Sequence, residues 1–161
     1  MAAGLIISRL VVRGLALILA LGLSACAWKS GPGPDSPRTE ALRQQILIET
    51  LGQIGRPYRY GGGDGAGFDC SGLALHVYAD VGIQLPRTAA QQMRVGREIR
   101  PSAARPGDLQ FYRINSGYHV VVDIGEGRGV HAPAPGRAVE IANIDSDWWR
   151  KRRLKTVRVL P

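Results

Sequence analysis

The spacing of apolar residues changes once along the chain, and that change constrains the fold more than any other feature. In the first part, apolar side chains recur at helical intervals. Leu42, Ile46 and Ile54, with Glu49 to Thr50 between them, mark successive turns of one run that also holds Leu47 and Leu51, and Leu73, Ala74, Val77, Tyr78 and Val81 mark another. From Leu109 onward the chain breaks into short β-branched runs separated by turn residues. A 3.6-residue period followed by a two-residue period predicts helices first and antiparallel strands second, an α+β domain.

Local signals place the elements. Ser36-Pro37 opens the first helix as an N-cap with proline in the first turn. Gly52 and Gly55 weaken and then end it. Arg56 to Gly67 is a glycine-rich loop, and a second helix begins near Cys70 and stops at Gly82. Thr88-Ala89-Ala90-Gln91 has the pattern of a capping box and opens a short third helix. Strands are expected at Leu109 to Arg113, Tyr118 to Ile124, Val130 to Ala132, Ala138 to Ile144 and Thr156 to Leu160. A short helix carrying Trp148 and Trp149 precedes the last of them.

The amino-terminal residues carry a different message. Arg9 and Arg13 precede an uncharged apolar stretch, Leu15 to Leu23, which is too short for a permanent membrane span and fits a signal-peptide core. Leu23-Ser24-Ala25-Cys26 then resembles a bacterial lipobox. The resemblance implies cleavage before Cys26 and lipid on its thiol. No aspartate follows Cys26, and likeness to Gram-negative lipoproteins then implies the outer membrane, facing the periplasm. An ordinary signal peptide or a membrane helix is the competing reading. Residues 1–25 are thus assigned as a signal peptide, and 26–37, rich in Pro, Gly and Ser, as a lipidated cysteine and flexible tether. Residues 38–161 form a single domain with one core.

Charge narrows the partners. The chain has 21 Lys+Arg and 13 Asp+Glu, a net +8, and removing the two arginines of residues 1–25 leaves +6. Such a balance suits an acidic polymer, including cell-wall material, although solubility alone also explains it. Lys151-Arg152-Arg153 has no aromatic interleaving and reads as a solvated face, so nucleic acid is not an expected partner.

With Cys26 under lipid, Cys70 has no disulfide partner and is either an inert core residue or a reactive thiol. Its polar neighbours Asp69 and Ser71 and its place at a helix start favour the second. Unpaired N–H groups there are expected to lower the thiol pKa and to receive an oxyanion. On Tyr118 to Asp123, strand alternation puts His119, Val121 and Asp123 on one face and the core residues Val120, Val122 and Ile124 on the other. His119 is positioned to take a thiol proton. His131 lies on the next strand, about 5 Å away, where it can hold the His119 tautomer. His76, inside the second helix, reads as exposed or core-edge. No His-Glu-x-x-His run or further Cys/His cluster suggests a metal, and no cofactor is expected. Gly61-Gly62-Gly63 lacks the Gly-Lys-Ser/Thr ending of a phosphate loop.

Pro57-Tyr58-Arg59-Tyr60-Gly61-Gly62, Phe68-Asp69-Cys70-Ser71-Gly72, Leu85-Pro86-Arg87-Thr88 with Gln91-Gln92, Pro106-Gly107-Asp108-Leu109, His119-Val120 and Val130-His131-Ala132 follow one another in order. Together they resemble the NlpC/P-sixty family of papain-like cell-wall cysteine peptidases. The resemblance spans roughly residues 42 to 160. It implies a helical half packed on a central antiparallel sheet, with Cys70 as nucleophile, His119 as general base and acid, and His131 as the orienting residue. It also implies an oxyanion or substrate role for Tyr58, with Asp69 and Ser71 either touching substrate or shaping the helix start. The chain departs from the family pattern after His119-Val120. Val121 stands where glycine is common and is expected to narrow the cleft. Asp123 is expected either beside the site or as a strand end.

The implied activity is hydrolysis of amide bonds in murein stem peptides or cross-links through a thioester acyl-enzyme. A D,D-endopeptidase acting at D-alanine–diaminopimelate cross-links is the first expectation. Cleavage between D-glutamate and diaminopimelate is the close alternative, and an amidase or acyltransferase on the same fold is a further one. A catalytically silent wall-binding lipoprotein is disfavoured by the intact Cys70, His119 and His131.

Overall fold

The structure is a computed structural model, and it describes residues 35–161. The expected signal segment, Cys26 and most of the tether lie outside the described residues. No helix among the described residues is long and apolar enough to cross a membrane.

Ser36 caps helix α1 (Pro37–Gly52), its hydroxyl accepting from the Thr39 N–H at 3.1 Å. The buried stripe of α1 is Thr39, Arg43, Ile46 and Thr50. Ile54, expected to continue the helix, lies beyond its end and is exposed, as are Ile48 and Leu51. The partly polar stripe has a physical reason. Arg43 Nη1 reaches Asp108 at 3.1 Å, and Arg158 Nη2 reaches the same carboxylate at 2.7 Å. All three side chains are buried. One carboxylate between two guanidiniums ties α1 to the sheet where an apolar contact would otherwise stand.

Helix α2 (Cys70–Ala79) is capped by Asp69, whose carboxylate accepts from the Gly72 N–H at 2.7 Å. Leu73, Ala74, Val77 and Tyr78 are buried against the sheet, and the Tyr78 hydroxyl donates to the Gly107 carbonyl. Helix α3 (Ala89–Gln92) starts with the expected capping box at Thr88. Buried Gln92 donates to the Ser71 and Pro86 carbonyls at 2.9 and 2.8 Å, fastening α3 to the first turn of α2.

The glycine-rich loop contains a small hairpin, β1 (Gly63–Asp64) with β2 (Gly67–Phe68). The main sheet has six antiparallel strands. In chain order they are β3 (Arg97–Ile99), β4 (Leu109–Ile114), β5 (Gly117–Gly125), β6 (Arg128–His131), β7 (Glu140–Asn143) and β8 (Arg153–Arg158). In space the order is β3-β8-β4-β5-β6-β7. The short helix α4 (Asp147–Arg150) lies between β7 and β8. The sequence predicted neither the small hairpin nor β3. The hairpin strands are two residues each, and β3 is an edge strand with two exposed charged residues, so neither leaves a readable alternation.

Both faces of the sheet are covered. Val120 and Val122 join Leu73, Val77, Leu109 and Phe111 under the helices. Val121 faces the other way into a second apolar cluster with Tyr112, Ile144 and Trp149. Helices packed on a central antiparallel sheet are the α+β architecture expected.

Candidate active site

Cys70 occupies the first position of α2, and the first turn of that helix is pressed onto the glycine loop. A Cβ on Gly72 would lie 1.8 Å from the Gly62 carbonyl oxygen, and one on Gly62 would lie 2.4 Å from the Gly67 oxygen. Only glycine at both places allows this approach. Cys70 therefore faces a cleft of about 600 Å³ whose lining includes Tyr58, Asp69, Ser71, Arg87 and His119.

His119 is on β5, and its Nε2 lies 2.8 Å from Nδ1 of His131 on β6. Both rings are buried and meet edge to face, with centroids 5.0 Å apart. With Nε2 engaged by His131, Nδ1 is the His119 nitrogen outside that contact. Trp149 covers the pair, its ring centroid 6.1 Å from His119 and 5.2 Å from His131. Beyond the histidines lies a second hollow, of about 510 Å³, bordered by Trp148, Ile141 and Glu140.

Electrostatics keep the resting site neutral. Burial pushes the Cys70 thiol above its ordinary value, although the N–H groups of Val120, Ser71 and Cys70 itself pull the other way. This corrects the expectation of a lowered thiol pKa: at this helix start, loss of solvent outweighs the backbone donors. Burial, then the neighbouring His131, brings the His119 pKa down to about 3. Burial brings His131 down to about 4 against the pull of the Glu140 carboxylate. A protonated thiol and two neutral imidazoles can transfer a proton as the sulfur attacks, without a standing ion pair.

Tyr58 lies in the cleft wall, its phenol pKa raised by burial and then by Cys70 and Asp69. Its backbone is held by a hydrogen bond from its N–H to the Arg137 carbonyl at 2.8 Å and a bridge to Phe68. Both Asp69 oxygens are occupied. Oδ1 accepts from Gly72 N–H, Ser71 Oγ and Arg87, and Oδ2 accepts from Gly61 N–H and Arg87, the last at 2.5 Å. Burial would raise the Asp69 pKa, but the Arg87 guanidinium and the Gly72 N–H outweigh it and hold the carboxyl below its usual value. Ser71 bonds Asp69 and also accepts from Arg87 at 3.1 Å. These three side chains brace the floor of the cleft. Arg87 sat in a quoted motif, yet only the fold reveals its two-pronged grip on Asp69.

The expectation for Val121 on β5 is corrected, and of the two readings of Asp123 the strand end is the one the structure shows. Val121 is fully buried beneath Trp149 and does not line the cleft, because its face of the sheet is sealed by α4. Asp123 also lies away from Cys70. It is buried, accepts from Gln110 at 2.5 Å, and accepts from the Gly125 N–H at 2.7 Å, which shapes the end of the strand. His76 is a core-edge residue as expected, stacked near Phe68 and 3.3 Å from Glu49. Glu49, His76 and Asp80 form the one group among the described residues spaced to share a cation, and none of them lines the cleft.

A thiol at a helix start, facing a histidine on an antiparallel sheet, defines the papain-like class of α+β folds. The NlpC/P60 family description matches residues 55–158, and the chain belongs to that family. It is 38% identical over 114 residues to the peptidoglycan endopeptidase RipA of Mycobacterium tuberculosis, a match covering 63% of this chain and 24% of RipA. It is 37% identical over 130 residues to the murein DD-endopeptidase MepH of Escherichia coli, covering 76% of this chain and 48% of MepH. The chain thus spans less than half the length of these two curated relatives. The crystal structure of the NlpC/p60 domain of the peptidoglycan hydrolase SagA superposes with a TM-score of 0.64 at 35% identity, covering 72% of this chain and 97% of that domain.

Proposed function

We propose that this protein is a cysteine peptidase that hydrolyses amide bonds of peptidoglycan peptides. The observation that carries the reading is the 2.8 Å contact between His119 Nε2 and His131 Nδ1, beside a cleft that also exposes Cys70. Similarity to enzymes named as peptidoglycan endopeptidases supports it, and the basic charge of the chain suits an acidic wall polymer.

In this reading His119 Nδ1 takes the Cys70 proton as the sulfur attacks the scissile carbonyl. The backbone N–H of Cys70 and the Tyr58 hydroxyl receive the oxyanion. His119 returns the proton to the leaving amine as the C–N bond breaks. Water, deprotonated by His119, then cleaves the thioester and frees the carboxyl product. Among possible bonds, the D-alanine–diaminopimelate cross-link is the first choice, supported by the likeness to a murein DD-endopeptidase. Residues 38–161 act as the catalytic domain, held by a tether to lipid on Cys26 at the outer membrane.

The test is digestion of purified cross-linked peptidoglycan, and of isolated stem-peptide dimers, by the full chain, with Cys70→Ala as control. Conversion of dimers to intact monomers, absent in the control, is the expected result. Truncated stems would move the cut to the D-glutamate–diaminopimelate bond. No product from either substrate, with Cys70 still alkylated by iodoacetamide, would overturn the hydrolase reading.

A further inference from the structure

We infer that Glu140 is a positioning residue that fixes the tautomer of His131 and, through it, that of His119. The inference rests on the roles proposed above for Cys70, His119 and His131, and adds a fourth member to them.

The strand register brings the groups together. His131 on β6 stands directly opposite Glu140 on β7, so the two side chains share one face of the sheet. Glu140 Oε1 lies 3.5 Å from His131 Nε2. On its other side the carboxylate is gripped by Arg137, whose Nη2 is 2.6 Å from each oxygen. Trp149 packs edge-on against the His131 ring and closes the remaining side. The charged and titratable groups facing His131 are thus His119 from β5, Glu140 from β7, and Arg137 from the loop before β7.

A histidine in the orienting position poses a problem that an amide or carboxylate would not. A neutral imidazole has one N–H and one lone pair, and either nitrogen can carry the proton. If His131 carried it on Nδ1, it would donate to His119 Nε2. His119 would then hold its own proton on Nδ1 and could not accept one from Cys70. The lone pair of His131 Nε2 would also face the Glu140 carboxylate. The other tautomer satisfies every contact. His131 donates through Nε2 to Glu140 and accepts at Nδ1, His119 donates through Nε2, and His119 Nδ1 is left bare for the thiol proton. An ionised carboxylate only accepts, so Glu140 selects that arrangement. No proton needs to reach Glu140. Its charge offsets the imidazolium that forms on His119 when the thiol proton arrives.

The test uses the purified full chain with Glu140→Ala and Glu140→Gln. Two measurements are made: long-range 1H–15N spectra of the imidazoles, and the rate of iodoacetamide alkylation at Cys70 across pH, followed on the Cys70 peptide. In the wild type, His131 is expected as the Nε2–H tautomer. In Glu140→Ala the tautomers mix, and alkylation at neutral pH slows by about tenfold or more, a fraction of the roughly 10²–10⁴-fold that a positioned acid–base group supplies. Glu140→Gln, whose amide oxygen still accepts from Nε2–H, keeps the tautomer and recovers most of the rate. A merely structural Arg137–Glu140 pair predicts both variants alike with the tautomer unmoved, and that result would overturn the inference. Neither readout uses peptidoglycan. A wild type that digests no wall, with Glu140→Ala still changing the tautomer and the alkylation rate, would therefore sink the proposed substrate and leave this inference standing.

Discussion

Trp149 meets His131 edge to face, with ring centroids 5.2 Å apart and planes at 89°. The indole also packs edge to face with Tyr112, centroids 4.6 Å apart, so one side chain closes the second core and roofs the histidine pair. Truncation to alanine should therefore do two things. The folded state should lose about 3–5 kcal/mol, as large aromatic deletions do. Both histidines should also titrate higher, toward 6.5, because burial is the largest cause of their depressed pKa values. Denaturant midpoints and imidazole chemical shifts across pH read the two effects separately. An unchanged titration in Trp149→Ala would show that the desolvation comes from elsewhere.

The same depressed values set the acid stability of the protein. His119 and His131 have folded pKa values of about 3 and about 4, against 6.5 for the free side chain. Between those limits the unfolded chain binds protons that the folded chain refuses, so stability falls as pH drops. The contribution is complete above about pH 6.5 and is lost progressively down to about pH 3, the lower of the two folded values. The melting temperature should decline steeply over that window. His131→Gln, provided it folds, should flatten the decline. An equally steep decline in that variant would assign the acid sensitivity to other groups.

Asp108 carries the junction between α1 and the sheet. It is fully buried between Arg43 and Arg158, and its Oδ2 also accepts from the Arg105 N–H at 2.9 Å. Asp108→Asn keeps the shape but removes the charge that two buried guanidiniums share. The expected cost is about 3–5 kcal/mol, the range for breaking a buried pair on one side. Urea unfolding measures it. A loss below about 1 kcal/mol, the scale of an exposed ion pair, would mean that solvent reaches the network.

The parts of the site that lie in local sequence were legible without the fold. Cys70 at the helix start and the Thr88 capping box are both short-range patterns, and they stand where the sequence puts them. His119 and His131 followed from strand alternation plus one tight turn. Glu140 did not, because its place opposite His131 depends on the β6–β7 register across a loop of irregular backbone. Trp149 did not, because nothing in its own segment tells which sheet face α4 will cover. Val121 was misread for the same reason. Alternation correctly gave it the His119 face, but the cover over that face was invisible.

The contact between Gly62 and Gly72 leaves no slack between the loop and the first turn of α2. Arg87 laces the same two segments together, reaching the Gly62 carbonyl at 3.3 Å as well as Asp69. The thiol and the wall beside it can then move only as one block. Under the proposed function, a peptide that does not fit would be accommodated by the opposite bank, where Ile114 ends β4, Tyr118 lies at the start of β5 and Pro133 follows β6. If the proposed function holds, tolerance for different substrates should therefore be adjustable from that bank while Cys70 stays in its seat.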